Sequence, residues 1–181
     1  MTNNGDFLVD RDYVTGSLLD KEIKMLKVFR IRPEAKLPQR AYQADAGMDL
    51  YYCPNGERAK IICDEGLAIS ARGSALIPTG LKVSVPYGHM LEIKNKSGMA
   101  YKRQLVVGAC VVDPGYTGEL YVNLHNIGLK TQYIRAGDKV AQAVLIPVLI
   151  CNAEEVTEKE YDVAVQHYVR GDGGFGSTGN R

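Results

Sequence analysis

Short alternating segments, each closed by a glycine or proline turn, restrict this chain more than any other feature. Leu81, Val83 and Val85 alternate with Lys82 and Ser84 between Gly80 and Pro86. Leu91 and Ile93 alternate with Glu92 and Lys94, and Leu120, Val122 and Leu124 with Tyr121, Asn123 and His125. Successive side chains of a strand point to opposite faces, so each segment predicts a strand with one buried face. Leu105–Val112 and Lys139–Ile150 are more continuously apolar, which predicts strands buried on both faces. Turns are predicted at Pro78-Thr-Gly80, Pro86-Tyr-Gly88, Asp113-Pro-Gly115 and Arg135-Ala-Gly137. Many short strands joined this way predict an all-β sandwich or barrel.

Helix is scarce. Leu19, Ile23 and Leu26 keep helical spacing, which predicts a short helix from about Ser17, ahead of a first strand near Met25–Arg32. Residues 1–24 read as an N-terminal extension, 25–165 as one β-domain, and 166–181 as a separate C-terminal arm. A chain of 181 residues with 45% hydrophobic content suffices for one core.

Charge narrows the function. The 22 basic and 21 acidic residues leave a net charge of +1, which argues against a general nucleic-acid or membrane-surface binder. The longest apolar run, Val140–Ile150, is too short for a membrane span and is broken by Gln142 and Pro147. The first residues lack the basic and apolar regions of a signal peptide. The four cysteines form no C-x-x-C pair, and the three histidines no metal-ligand spacing. Reduced thiols and an intracellular, cytoplasmic location are the expectation.

Chemistry concentrates in five segments. The tail Arg170-Gly-Asp-Gly-Gly-Phe-Gly-Ser-Thr-Gly-Asn-Arg181 combines five glycines with Arg170, Ser177, Thr178 and one large apolar ring, Phe175. Such a flexible stretch, rich in donors for phosphate, suggests a lid over a nucleotide. A disordered linker has much the same composition. In Val111-Val-Asp-Pro-Gly-Tyr-Thr-Gly-Glu119 an apolar strand delivers Asp113 to a tight turn. Asp113 there is either a general base or simply the first residue of a β-turn. Ala46-Gly-Met-Asp-Leu50 reads otherwise as an edge turn, Lys94-Asn-Lys-Ser-Gly98 as a solvated strand end, and Gly137-Asp-Lys-Val-Ala-Gln142 as a loop leading into a strand. No P-loop is present.

Taken in order, Ala46–Leu50, Lys96–Ala100, Val111–Gly118, Gly137–Gln142 and Arg170–Gly179 resemble the five motifs of the trimeric dUTP diphosphatases. The resemblance implies a distorted jelly-roll-like β-barrel with a flexible Gly-rich C-terminal arm, assembled as a homotrimer with shared sites. It implies hydrolysis of dUTP to dUMP and pyrophosphate, with Mg²⁺ on the triphosphate. That activity limits uracil entry into DNA and supplies dUMP for dTMP synthesis. By the same resemblance Asp113 activates the water that attacks the α-phosphorus, and Asp49 holds Mg²⁺ through water. Tyr116 packs on the deoxyribose, and the hairpin from Val111 and Val112 to Tyr121 reads uracil. Lys96, Ser97, Gly98 and Gln142 contact phosphates. Arg170, Gly176, Ser177 and Thr178 grip the terminal phosphate while Phe175 covers the base.

Three positions depart from the pattern. Lys96 stands where Arg is usual, so the planar fork is lost. Asn95 replaces a usual proline, and Cys110 a usual glycine beside the uracil hairpin. Two rival readings share the barrel. A dCTP deaminase needs a catalytic Glu where this chain has Asn123, which cannot accept a proton as a carboxylate does. A non-enzymatic nucleotide sensor is opposed by the joint presence of Asp49, Asp113, Tyr116 and Arg170.

Overall fold

The computed structural model describes residues 26–55, 66–169 and 171. The predicted helix from Ser17, Cys63, and the tail residues Arg170, Phe175, Gly176, Ser177 and Thr178 lie outside them. The described chain is mostly strand. In order come β1 (Lys27–Arg30), β2 (Met48–Tyr51), β3 (Leu67–Ile69), β4 (Ser74–Pro78), β5 (Leu81–Ser84) and β6 (His89–Lys94). Helix α1 (Ser97–Arg103) follows, then β7 (Leu105–Val107), β8 (Val111–Val112), β9 (Tyr121–Asn126), β10 (Gln132–Ile134), β11 (Lys139–Pro147) and helix α2 (Glu158–Val165). All pairings are antiparallel and form four sheets: β1-β5, β10-β3, β2-β11-β6-β8 and β4-β9-β7.

The alternating segments behave as their period requires. Leu81 and Val83 of β5, Leu91 and Ile93 of β6, and Val122 and Leu124 of β9 are buried, while Lys82, Ser84 and Lys94 face solvent. With Leu50, Ile69, Ile77, Leu105, Leu120, Ile134 and Ala143, all of these buried residues except Leu81 make one main core, while Leu81 packs with Ala35 and Cys53 in a second cluster. Burying a large aliphatic side chain contributes about 1.5–3 kcal/mol, so this cluster is the principal support of the sheets. Asn126 is the exception inside it. Its amide donates to the carbonyls of Ile69, Ser70 and Lys130 and accepts from the Gly128 N–H, which satisfies a fully buried polar group.

Two apolar runs fold differently from expectation. Leu105–Val112 is not one strand: β7 pairs with β9 and β8 pairs with β6, so the chain changes sheets at residues 108–110. Gly108 makes the crossing possible. A Cβ there would lie 2.3 Å from both Asn123 Oδ1 and His125 Nε2. Both sheets bury a face, so hydrophobicity alone hides the change of partner. The second run ends as strand at Pro147, whose missing N–H stops the ladder, and Leu149 is 93% exposed.

Helix α1 lies where the sequence reads as a solvated strand end, and helix α2 falls in a segment for which the sequence predicts no element. Helix α1 starts at Ser97, buries only Met99 and ends at Gln104, whose left-handed φ of 54° is unusual for a residue with a side chain. Helix α2 carries a capping box: the Thr157 side chain accepts from Glu160 N–H, and the Glu160 carboxylate accepts from Thr157 N–H. The chain up to Val148 forms one compact unit, and Leu149 onward a second that contains α2. No helix among the described residues is long and apolar enough to cross a membrane.

Candidate active site

One cluster follows from strand register. In the sheet β2-β11-β6-β8, Asp49 is paired with Gln142 and Gln142 with Lys94. Residues opposite one another share a face, so the three side chains stand in a row. A bulge between Lys139 and Ala141 re-aims the start of β11. Lys139 Nζ then lies 2.7 Å from Asp49 Oδ2, and Lys96 Nζ donates to Asp49 Oδ1. The carboxylate is almost fully buried. Burial pushes its pKa up, but the Lys139 and Lys96 ammonium groups outweigh that and hold it below the ordinary carboxylate value. Lys139 is correspondingly held above its own ordinary value. Each carboxylate oxygen therefore faces one ammonium, Oδ1 that of Lys96 and Oδ2 that of Lys139.

Gln142 is packed as tightly as it is placed. Its Nε2 donates to Asn95 O at 2.9 Å, and a Cβ on Gly47 would lie 2.2 Å from its Oε1. Glycine at position 47 is therefore a requirement of space. Asn95, the departure from proline, also accepts from Val107 N–H through its side chain at 2.6 Å. It ties the segment before α1 to β7, a bond proline cannot make. Lys96, Ser97 and Gly98 follow directly, and no side chain caps the start of α1.

A second cluster surrounds a cavity of about 280 Å³. Its lining includes Val111, Val112, Asp113, Tyr116, Tyr121 and Asn123. Asp113 is exposed at the turn after β8, and its main-chain carbonyl accepts from Tyr116 N–H at 3.1 Å. The Tyr116 ring folds back over Gly118, where a Cβ would lie 2.5 Å from the phenol oxygen. That hydroxyl donates to Glu119 O at 2.7 Å. Burial pushes the Tyr121 hydroxyl up, and neighbouring Glu119 adds to the shift. Cys110 is not part of the lining; its carbonyl accepts from Ile93 N–H. Asn123 Oδ1 is engaged by Ala109 N–H at 3.2 Å, so its amide braces the β7–β8 crossing. The residue at the deaminase acid–base position is thus a structural amide.

The two clusters are not together in one chain. Asp49 and the turn after β8 lie three strands apart and about four residues along the sheet, which at ordinary strand spacings is roughly 20 Å. Sequence reasoning missed Lys139 as a neighbour of Asp49, because the bulge that turns it there has no sequence signature. It also missed Arg32 and Glu119, which form a bidentate ion pair at the end of the loop between β8 and β9. The expected hairpin from Val111 to Tyr121 is not one, since β8 pairs with β6 and β9 with β4 and β7. Among the described residues no three His, Cys, Asp or Glu side chains gather as a metal cage.

A jelly-roll-like all-β fold, with a buried carboxylate between lysines and a second carboxylate on a turn beside a small cavity, defines a candidate nucleotide hydrolase. The dUTPase family profile matches residues 33–179. The deoxyuridine 5'-triphosphate nucleotidohydrolase of Debaryomyces hansenii is 36% identical over 154 residues, covering 85% of this chain and 87% of the relative. That of Clostridium tetani is 36% identical over 156 residues, covering 85% and 96%. The fold is similar to a dUTPase point mutant from Staphylococcus bacteriophage 80alpha with dUpNHpp, with a TM-score of 0.71 and 25% identity over 86% of this chain and 98% of that one. A phage phi11 dUTPase mutant, described with a structural Mg(II) ion, gives a TM-score of 0.63 and 25% identity over 76% and 99%. The chain belongs to the dUTPase family and is an enzyme of dUTP hydrolysis.

Proposed function

We propose that this chain hydrolyses dUTP with Asp113 as the general base. Its carboxylate takes a proton from the water that attacks the α-phosphorus. The α-phosphorus gains the water oxygen and loses the bridge to the β-phosphate, giving dUMP and pyrophosphate. The observation that carries the reading is the turn after β8: it brings Asp113 to the lining of a cavity of about 280 Å³, a size that suits a base and sugar. Uracil enters between Val111, Val112 and Tyr121, and the deoxyribose meets the Tyr116 ring. That ring leaves no room for a 2′-hydroxyl.

The triphosphate is assigned to the other cluster. Lys96 and the uncapped start of α1 at Ser97 and Gly98 offer positive charge and free N–H groups. Gln142 orients the α-phosphate and the attacking water. Lys96 releases Asp49 to reach the phosphates, while Lys139 remains as the counter-charge. The residues fit Mg²⁺ bound mainly by phosphate and water, with Asp49 contributing through water by Oδ1, the oxygen that Lys96 releases. When bound, that ion neutralises charge that develops on the triphosphate. Arg170, Gly176, Ser177 and Thr178 grip the terminal phosphate, and Phe175 covers the base.

The separation of Asp49 from Asp113 supports a site completed by more than one copy of the chain, and a closed homotrimer supplies this. The deciding experiment incubates the protein with dUTP and with dCTP and separates the products. dUMP with pyrophosphate is expected from dUTP, and no change in dCTP. The variant Asp113→Asn should keep nucleotide binding and lose on the order of 10²–10⁴-fold in turnover. Near-normal kcat in that variant refutes the assignment of the base.

A further inference from the structure

We infer that the Arg32–Glu119 ion pair positions Tyr116 and so sets how well the enzyme tells deoxyribose from ribose. The inference rests on the reading of Tyr116 as the residue that meets the sugar. Glu119 is bound at both ends. Its main-chain carbonyl accepts the Tyr116 hydroxyl at 2.7 Å. Its carboxylate accepts Gly80 N–H at 2.8 Å, Arg32 Nη1 at 3.1 Å, and Arg32 Nη2. Arg32 is fixed in turn: Nη2 also donates to Cys53 O at 3.1 Å, and Nε to Cys53 Sγ at 3.4 Å.

Such a pair differs from an ordinary surface ion pair. The side chains are only 19% and 10% exposed, and the two carboxylate oxygens meet a planar fork and a backbone N–H. Charge-assisted, bidentate contacts of this kind fix geometry as well as charge. The pair joins the segment after β1, the β4–β5 turn and the end of the loop between β8 and β9. The next residue is stitched to the same turn, since Leu120 N–H donates to Leu81 O and the Thr79 hydroxyl to Leu120 O.

Tyr116 has little independent freedom above this anchor. Its ring lies against Gly118 so closely that a single added Cβ would touch the phenol oxygen and ring carbon at 2.5 and 2.7 Å. Its height over the cavity is therefore set by the backbone at 118–119. Moving Glu119 moves the ring, and moving the ring changes the space left beside the sugar. Neither residue of the pair lines the cavity; Glu119 reaches it through the Tyr116 hydroxyl, which its carbonyl holds, and its carboxylate also lies beside the Tyr121 hydroxyl.

The test measures kcat/KM for dUTP and UTP, together with thermal stability, in Arg32→Met, Glu119→Gln, the double variant, Tyr116→Phe and Tyr116→Ala. Glu119→Gln keeps an acceptor for Gly80 N–H, and the double variant removes both charges, so at least one well-folded variant is available. Loss of one positioning hydrogen bond should narrow the dUTP/UTP ratio roughly three- to tenfold. Tyr116→Phe should narrow it by a similar factor. Adding Arg32→Met and Glu119→Gln to Tyr116→Phe should change the ratio no further, since all act on one contact. A lower melting temperature with an unchanged ratio would make the pair merely structural and overturn the inference. A further narrowing in the Tyr116→Phe background would overturn it too. An unchanged ratio in Tyr116→Ala would remove the sugar role of Tyr116 itself, and the inference with it.

Discussion

Replacing Gly47 with alanine should cost turnover far more than stability. The added methyl would sit 2.2 Å from Gln142 Oε1, 2.8 Å from its Cδ and 3.1 Å from its Cβ. Ordinary contacts between such atoms are about 3.5 Å or more, so the amide must retreat by roughly 1 Å. Gln142 cannot move as a whole, because its backbone is paired with β2 on one side and β6 on the other. It yields by rotating away from Asn95 O, at a net cost of about 1 kcal/mol. Gly47 has no left-handed φ, so alanine is conformationally acceptable there and restrains the unfolded chain by about 0.4–1 kcal/mol. The two terms nearly cancel, and Tm should move by less than roughly 4 °C in scanning calorimetry. A misplaced donor beside the reacting phosphate typically costs about 10²–10³-fold in kcat, read by pyrophosphate release. Gly47→Ala added to Gln142→Ala should lose nothing more. A kcat within about twofold of the parent, or losses that multiply in the double variant, refutes the reasoning.

Lys96→Arg should preserve or raise kcat/KM, because the fork can bind phosphate bidentately; a collapse would mean that the pair with Asp49 requires an ammonium. Acid stability should follow Asp49 and Glu119. Burial pushes both carboxyls up, but the lysines around Asp49, and Arg32 with Gly80 N–H at Glu119, hold them below their ordinary 3.8 and 4.5. Each folded pKa is thus lower than its unfolded value, so the stabilisation is complete above those values and is lost as pH falls through them. Tm should hold down to about pH 5 and fall below about pH 4, less steeply in Glu119→Gln; equal slopes would discount that group. Mixing addresses assembly. Asp113→Asn and a chain truncated before Arg170 should each be inactive alone and regain activity when unfolded and refolded together, since complete sites need only one intact copy of each element. With random assembly about a quarter of sites recover, and verified mixed trimers without dUTP hydrolysis refute the shared site.

The strands were legible because one rule governs them. Alternation at Leu81–Val85, Leu91–Lys94 and Leu120–His125 reports which side faces the core, and the structure buries those residues. Where both faces are apolar that rule falls silent, and the change of sheet between Leu105 and Val112 went unseen. Helix α1 was hidden because it buries Met99 alone and so leaves almost no periodic stripe. Five ordered motifs around Asp49, Lys96, Asp113, Gln142 and Arg170 were legible; the structure groups Asp49, Lys96 and Gln142, puts Asp113 in a second cluster, and Arg170 lies outside the described residues. Its supporting residues were not. Lys139 reaches Asp49 through a bulge, and Arg32 reaches Glu119 across the whole run of strands between them, so nothing local marks either pair.

The pairing of β2 with β11 also fixes when this enzyme can first act. Strand β2 is made early and β11 is the last strand of its unit, yet Asp49 and Gln142 face each other only when these two meet. Closing so long a stretch of chain carries a large entropic cost, and folds dominated by such distant contacts form slowly. Shorter-range pairings such as β7 with β9 do not wait for it. The triphosphate half of the site therefore appears at the end of folding, after most of the core has been assembled. A nascent chain lacking β11 holds Asp49 with Lys96 but without Lys139 or Gln142.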